Sequence, residues 1–233
     1  MRKEIHMLAC YIAVSAAVLL IAHWGSRAVT VMAENAPVER KHRIIIDAGH
    51  GSVDGGATSC AGILESAYNL EIALRLNDLF HLLGMETVMV RTTDISVYTE
   101  GQTIAQKKIS DLKERVRITS DTPNAILVSI HQNNFSDSRY SGAQVFYADT
   151  SGSRELAEAL QRSFVSTLNP GSRRQIKKGE GIYLMEKISC PGVLIECGFL
   201  SNVREEALLR SPEYQKNLCC VIASTLSQSL SNA

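Results

Sequence analysis

Short apolar runs alternate along the chain with longer segments in which apolar residues recur every three or four positions. The short runs are typical of buried strands, and the longer spacing is typical of helices with one buried face. The pattern predicts strands at 43–47, 85–90, 125–130, 143–147, 181–185 and 192–196, and helices at 66–83, 103–120, 153–168, 203–210 and 212–230. This order predicts an α/β fold: a three-layer α/β/α single domain with a twisted, mostly parallel central sheet of about six strands and helices on both faces.

The N-terminal segment has a different pattern. Arg2 and Lys3 are followed by a run without charged residues from Met7 to Ala22. As a helix this run would span about 24 Å, less than the roughly 30 Å hydrocarbon core of a bilayer. Residues 1–36 are therefore interpreted as a signal peptide or an N-terminal membrane anchor. Either interpretation places the folded domain, residues 43–230, outside the cytoplasm.

Composition narrows the range of partners. The 233 residues contain 24 Lys and Arg against 24 Asp and Glu, a formal net charge of zero. Because no global positive field would attract nucleic acid, no nucleic-acid partner is expected.

Of the six cysteines, Cys10 lies in the N-terminal segment and the other five have no CxxC spacing. They are expected to be small buried side chains rather than disulfides or structural zinc ligands.

Four ionisable residues lie next to the predicted strands and the first predicted helix. His50 follows the apolar run 44–46, His131 follows the run 125–130, and Glu196 follows the run 193–195. Glu65 lies immediately before the first predicted helix. Functional groups in open α/β sheets gather beyond the carboxyl ends of the strands, so these four side chains are expected to converge.

Such a set has the chemistry of a hydrolytic metal centre. Two neutral imidazoles and one carboxylate suit Zn²⁺, and three protein ligands leave a fourth tetrahedral position open for water. The ion would lower the pKa of that water toward about 7. A second carboxylate, such as Glu196, would carry the proton to the leaving group if it lies beside the metal without ligating it.

The segments around these residues form a series of motifs that spans residues 43 to 230. The series is Ile46-Asp47-Ala48-Gly49-His50-Gly51, Asp54-Gly55-Gly56-Ala57, Glu65, Val90-Arg91, Ser110-Asp111-Leu112-Lys113-Glu114-Arg115-Val116, Val128-Ser129-Ile130-His131, Ser141-Gly142-Ala143-Gln144 and Leu194-Ile195-Glu196-Cys197-Gly198-Phe199-Leu200-Ser201-Asn202. With this series the chain resembles the zinc-dependent N-acetylmuramoyl-L-alanine amidases of the type 3 amidase family. Tyr183-Leu184-Met185 and the run after Gly181 further resemble the germination-specific amidases of spore-forming bacteria.

The resemblance implies roles for the four residues. His50, Glu65 and His131 would bind Zn²⁺, and Glu196 would be the catalytic carboxylate. The implied reaction is hydrolysis of the amide between N-acetylmuramic acid and L-alanine in peptidoglycan, which removes peptide stems. The subtype implies a step toward muramic-δ-lactam in spore cortex, in the forespore intermembrane space or the cortex. An accessory exported protein or lipoprotein is left open as a partner.

Two other functions stay open at this point. A cell-wall carboxypeptidase or deacetylase would use the same metal and base, because these groups do not identify the bond that is cleaved. A non-catalytic peptidoglycan-binding protein would keep the domain without turnover.

Several further residues have two interpretations each. Asp47 either orients a metal ligand or stabilises the turn that follows it. Asn133 either contacts substrate or closes a turn. The polar segments 92–104 and 169–178 could accommodate a long substrate. The second of them contains a basic loop of four residues, Arg173, Arg174, Lys177 and Lys178. This loop is either a solvated surface or a contact for peptide-stem carboxylates.

Overall fold

The computed structural model describes Leu20 and residues 42–231, so the interpretation of residues 1–36 as a leader falls outside the described residues apart from Leu20. The strands are β1 (Arg43–Ala48), β2 (Glu86–Met89), β3 (Ala125–Asn133), β4 (Gln144–Tyr147), β5 (Lys177–Lys178) and β6 (Gly192–Phe199). The helices are α1 (Glu65–Leu82), α2 (Ile104–Asp121), α3 (Ser153–Thr167), α4 (Tyr183–Lys187), α5 (Val203–Leu209) and α6 (Pro212–Ser231). Across this part of the chain we find no helix with the length and apolarity needed to span a bilayer.

The six strands form one sheet in the order β2-β1-β3-β6-β4-β5. Every neighbouring pair is parallel except β4 and β6, which run antiparallel. The prediction of a mostly parallel sheet of about six strands is confirmed.

Helices cover both faces of the sheet. Ile44 and Ile46 of β1 pack into one core cluster, whereas Ile45 between them packs into the other, as expected for side chains that alternate along a strand. The first cluster includes side chains of α1, α3 and α6, such as Phe80. The second includes side chains of α4, such as Leu184, with α2 packed against it. The three-layer prediction is therefore confirmed.

The predicted strand at 181–185 is wrong. Gly181 adopts a φ of 76°, and its N–H donates to Glu186 Oε1 at 2.7 Å, so the chain turns into the short helix α4. The adjacent Leu184 and Met185 are both buried on one side of the sheet, which the alternation of a strand would not allow. The sixth strand is instead β5, two exposed lysines in a segment that the sequence pattern assigned to a loop.

The described cysteines are all free. Cys197 and Cys219 are buried as expected. Cys60 and Cys220 are exposed, so the expectation of burial is wrong for these two. The adjacent positions 219 and 220 point to opposite environments because neighbouring residues of a helix lie on different faces.

Candidate metal centre

His50 lies in a tight loop that follows β1. Its backbone has a φ of 61°, an uncommon conformation for a residue with a side chain. The ring is anchored at Nδ1, which lies 3.0 Å from Asp54 Oδ2. Because Asp54 occupies Nδ1, the Nε2 atom of His50 faces Glu65, 3.3 Å from its Oε2.

Glu65 is the first residue of α1 and is buried. Both of its carboxylate oxygens accept backbone hydrogen bonds: Oε2 from the N–H of Ala57 at 3.1 Å and Oε1 from the N–H of Gln132 at 3.1 Å. These two donors come from different segments of the chain. The carboxylate is therefore fixed in place by the fold itself.

His131 lies on β3 and completes the group. Its Nδ1 is 3.0 Å from Glu65 Oε1, and its ring lies edge-on to the ring of His50 with centroids 4.9 Å apart. Gly49 makes this approach possible, since a Cβ at that position would overlap the His131 ring. Its φ is not positive, so lack of space rather than backbone strain explains the glycine.

The three side chains fit a divalent ion. One ligand atom from each of His50, Glu65 and His131 can be chosen so that all lie within 4.8 Å of one another. Ligand atoms bound at about 2.0–2.1 Å to one tetrahedral zinc ion would lie about 3.3 Å apart. The contacts of Glu65 with the two rings, 3.0 and 3.3 Å, are close to this spacing. Two imidazoles and one carboxylate are also the donor types that zinc accepts.

The charges in the group reinforce one another. Burial alone would raise the pKa of Glu65, but hydrogen bonds and charge interactions with His131 and His50 outweigh it and hold the pKa far below its usual value. Burial would likewise lower the pKa of His50, yet Glu65 and Asp54 raise it overall. Glu65 is therefore ionised at all physiological pH values, as a metal-binding carboxylate must be.

Glu196 lies beside this group. It is on β6 in register with His131 of β3, and residues in register on neighbouring parallel strands present their side chains to the same face. Its Oε2 atom is buried and has no hydrogen-bond partner among the described residues. Burial raises the pKa of Glu196 to about 7; the negative charge of Glu65 adds to this rise, and His131 and His50 oppose it. All four predicted site residues thus lie together.

The family follows from comparison with known proteins. A family model described as N-acetylmuramoyl-L-alanine amidase (Amidase_3) matches residues 44–228, most of the chain. The chain belongs to this amidase family. It is an enzyme that acts on peptidoglycan, and the resemblance that its motifs indicated is confirmed.

Relatives of the amidase agree in sequence and in fold. The germination-specific N-acetylmuramoyl-L-alanine amidase of Bacillus subtilis (strain 168) is 36% identical over 181 residues, which are 77% of this chain and 76% of that protein. The solved structure of the CwlD amidase from Clostridioides difficile in complex with the GerS lipoprotein is 37% identical, with a TM-score of 0.79, and covers 83% of this chain and 100% of that chain. The catalytic domain of CwlV, an amidase from Bacillus (Paenibacillus) polymyxa var. colistinus, is 28% identical, with a TM-score of 0.70, over 82% of this chain and 98% of that chain.

Two buried arginines of the amidase, Arg91 and Arg115, hold the loop that carries His50. Arg115 donates to the carbonyl oxygens of His50 at 2.8 Å and Ala48 at 3.1 Å. Arg91 donates to the carbonyl oxygens of Ala48 at 2.8 Å and Gly49 at 3.0 Å. The sequence motifs contain both arginines, but their spacing along the chain gives no sign that they meet at this loop.

The structure separates the two interpretations of Asp47. Its carboxylate accepts hydrogen bonds from Arg115 and from the Ser129 hydroxyl, the latter at 2.6 Å. Asp47 therefore acts on the loop through Arg115, and the residue that orients His50 is Asp54, to which the sequence pattern assigned no role. Asn133 ends β3, where its carbonyl accepts from the N–H of Leu200 at 2.8 Å.

Proposed function

We propose that the chain is a zinc-dependent amidase in which His50, Glu65 and His131 hold the ion and Glu196 carries the proton. It hydrolyses the amide between N-acetylmuramic acid and L-alanine. The observation that supports this most strongly is the convergence of three ligand atoms within 4.8 Å beside a glutamate whose buried oxygen has no hydrogen-bond partner in the described part of the chain. The buried Glu196 oxygen costs folding free energy, which a role in the reaction explains.

The roles of the side chains follow from their environments. When bound, the ion supplies Lewis-acid polarisation of the scissile carbonyl and of water. Glu196, whose pKa burial raises, accepts a proton from the attacking water and delivers it to the nitrogen of L-alanine as the amide bond breaks. Asp54 keeps the His50 ring oriented by its contact with Nδ1. The two backbone N–H donors keep Glu65 in place throughout.

Two measurements on purified muropeptides test this proposal. A chelator is expected to abolish hydrolysis, and added Zn²⁺ is expected to restore it. Glu196→Gln is expected to bind zinc normally and to lose nearly all hydrolysis, while the exposed Glu100→Gln serves as the matched control. Full activity of the Glu196→Gln variant with zinc bound would exclude the proton-carrying role.

Product analysis identifies the bond. Mass spectrometry of the digested fragments is expected to show water added between the lactyl carbonyl and L-alanine, with glycan freed of its stems. Water added at the end of a stem would indicate a carboxypeptidase, and loss of acetyl groups would indicate a deacetylase. Zinc binding without any hydrolysis, with and without exported partner proteins, would indicate a wall-binding protein.

We extend the proposal to spore cortex because of the similarity to the germination-specific amidase and to the CwlD structure. There the enzyme, exported across the cytoplasmic membrane, removes stems as a step toward muramic-δ-lactam and works with an accessory lipoprotein of the kind present in the CwlD complex. A strain that lacks the protein is expected to make cortex without the lactam. Normal lactam content in that strain would contradict the extension.

A further inference from the structure

A large basic groove is lined in part by Gln144 of β4, which is paired in register with Glu196 of β6. Its volume is about 1120 Å³, and it is lined by five cationic residues, Arg139, Arg173, Arg174, Lys177 and Arg204. The acidic side chain in its lining is Glu205, whose two oxygens accept backbone hydrogen bonds at 2.7 and 2.9 Å. The groove therefore has an excess of positive charge, and its carboxylate is already engaged.

Arg174 is the most firmly held cation of this groove. Its guanidinium lies over the Phe199 ring at 4.4 Å from the centroid. Its Nε donates to the Ser141 carbonyl at 2.7 Å and its Nη1 donates to Gln144 Oε1 at 2.9 Å. A guanidinium has five N–H donors, so three of those on Arg174 remain for a ligand. Stacking and two hydrogen bonds fix the plane in which these donors point.

Gln144 connects this arginine to the candidate catalytic residues. His131, Glu196 and Gln144 are paired in register across β3, β6 and β4, so they form a row on one face of the sheet. Neighbouring strands lie about 4.8 Å apart. The row thus leads from the metal group, past Glu196, to the amide that Arg174 contacts.

The order of these three residues across the sheet indicates on which side of Glu196 the peptide stem of the substrate lies. In the proposed reaction Glu196 protonates the nitrogen of the departing peptide, so the stem lies on the side of Glu196 away from His131. That side leads to Gln144 and the basic groove. One extended residue spans about 3.5 Å, so a carboxylate on the second stem residue would lie about 7 Å beyond the cleaved amide. This length is comparable to the path from Glu196 across one strand spacing to Gln144 and on to Arg174.

We propose that Arg174 binds the free α-carboxylate of the stem residue that follows L-alanine and so makes the enzyme selective for acidic stems. The inference rests on the proposed function and adds the substrate specificity of that reaction. A planar guanidinium with fixed orientation suits a carboxylate, which can accept two of its donors at once. The other cations of the groove increase the attraction without setting the position.

Matched muropeptides test the assignment, one with the free carboxylate on the second stem residue and one with the corresponding amide. The unmodified enzyme is expected to have a KM about 10- to 100-fold lower for the acid, the range of a charged hydrogen bond. Arg174→Gln is expected to lose this preference, because its KM for the acid rises to the value for the amide. Arg162→Gln, which changes an exposed arginine of α3, is expected to keep it. Equal KM values in the unmodified enzyme, or a preference that persists in Arg174→Gln, would refute the proposal.

A binding measurement separates this inference from the proposed reaction. The released stem peptides, acid and amide, are titrated into the full chain without any turnover. Tighter binding of the acid, lost in Arg174→Gln and partly kept in Arg174→Lys, supports the assignment even if the digested bond differs from the proposed one. Equal binding of the two peptides by the unmodified chain contradicts it, even if hydrolysis occurs as proposed. Arg174→Lys also covers the case in which the glutamine variant does not fold.

Discussion

Glu196 is expected to destabilise the metal-free protein, and the effect should depend on pH. A carboxyl group whose pKa rises from 4.5 to about 7 on folding binds more protons in the folded state than in the unfolded state between these values. Stability therefore falls as pH rises through this range and levels off above pH 7. The pKa difference of about 2.5 units lowers the free energy of unfolding by about 3 kcal/mol near pH 8. At pH 5 it lowers this free energy by less than about 1 kcal/mol.

Replacement by glutamine removes the charge and keeps the shape. Metal-free Glu196→Gln should therefore gain about 3 kcal/mol over the unmodified protein at pH 8, which for a domain of this size is about 6–12 °C in Tm. The gain should nearly vanish at pH 5. Thermal melts of both proteins from pH 5 to 9, with Glu100→Gln as control, measure the difference. Parallel stability curves for the two proteins would refute the assigned environment of Glu196.

Three further substitutions probe the surroundings of the metal group. Asp54→Asn should weaken zinc binding by about 10- to 100-fold, because it alters the group that orients a ligating imidazole, as chelator competition would show. Gly49→Ala should weaken zinc binding more, since the added Cβ displaces the His131 ring. Arg115→Met should lower the free energy of unfolding by about 3–5 kcal/mol in urea titrations, because it leaves the buried Asp47 carboxylate without its charged partner.

Each of these changes has a control elsewhere in the chain. Asp149→Asn alters an exposed carboxylate and should leave zinc affinity unchanged. Gly171→Ala adds a Cβ in open space at a φ of 86°, so it tests backbone strain without a clash. Arg117→Met removes an arginine that is exposed on α2 and should change stability far less than Arg115→Met. Equal effects of any change and its control would contradict the corresponding explanation.

The sequence pattern predicts strands best where a short run is buried on both faces, as in β1, and helices best where one face is buried. The alternation of Ile44, Ile45 and Ile46 between two clusters follows from strand geometry, and the helices follow from their apolar spacing. The pattern is misleading at 181–185, where Gly181 and the contact with Glu186 start a short helix. A helix of five residues is too short for periodicity to separate it from a strand.

For the candidate site, chemistry and chain order predict the four residues that the structure brings together, but not the contacts that hold these residues in place. The contacts of Asp54, Arg91 and Arg115 with the His50 loop depend on how segments far apart in sequence pack together. The same is true of Arg174, which reaches Gln144 across 30 positions. Such contacts have no periodic signal, since each depends on the three-dimensional course of two separate segments.

The two glutamates of the site show how the fold assigns different chemistry to the same side chain. Glu65 receives two backbone N–H donors and contacts both histidines, which hold its pKa far below the usual value. Glu196, on the same side of the sheet as His131, has an oxygen without a hydrogen-bond partner among residues 42–231 and a pKa near neutrality. Two carboxyl groups whose environments push their pKa values apart can have different roles in the same reaction. The group that stays ionised suits a ligand, and the group that can hold or release a proton suits an acid–base catalyst.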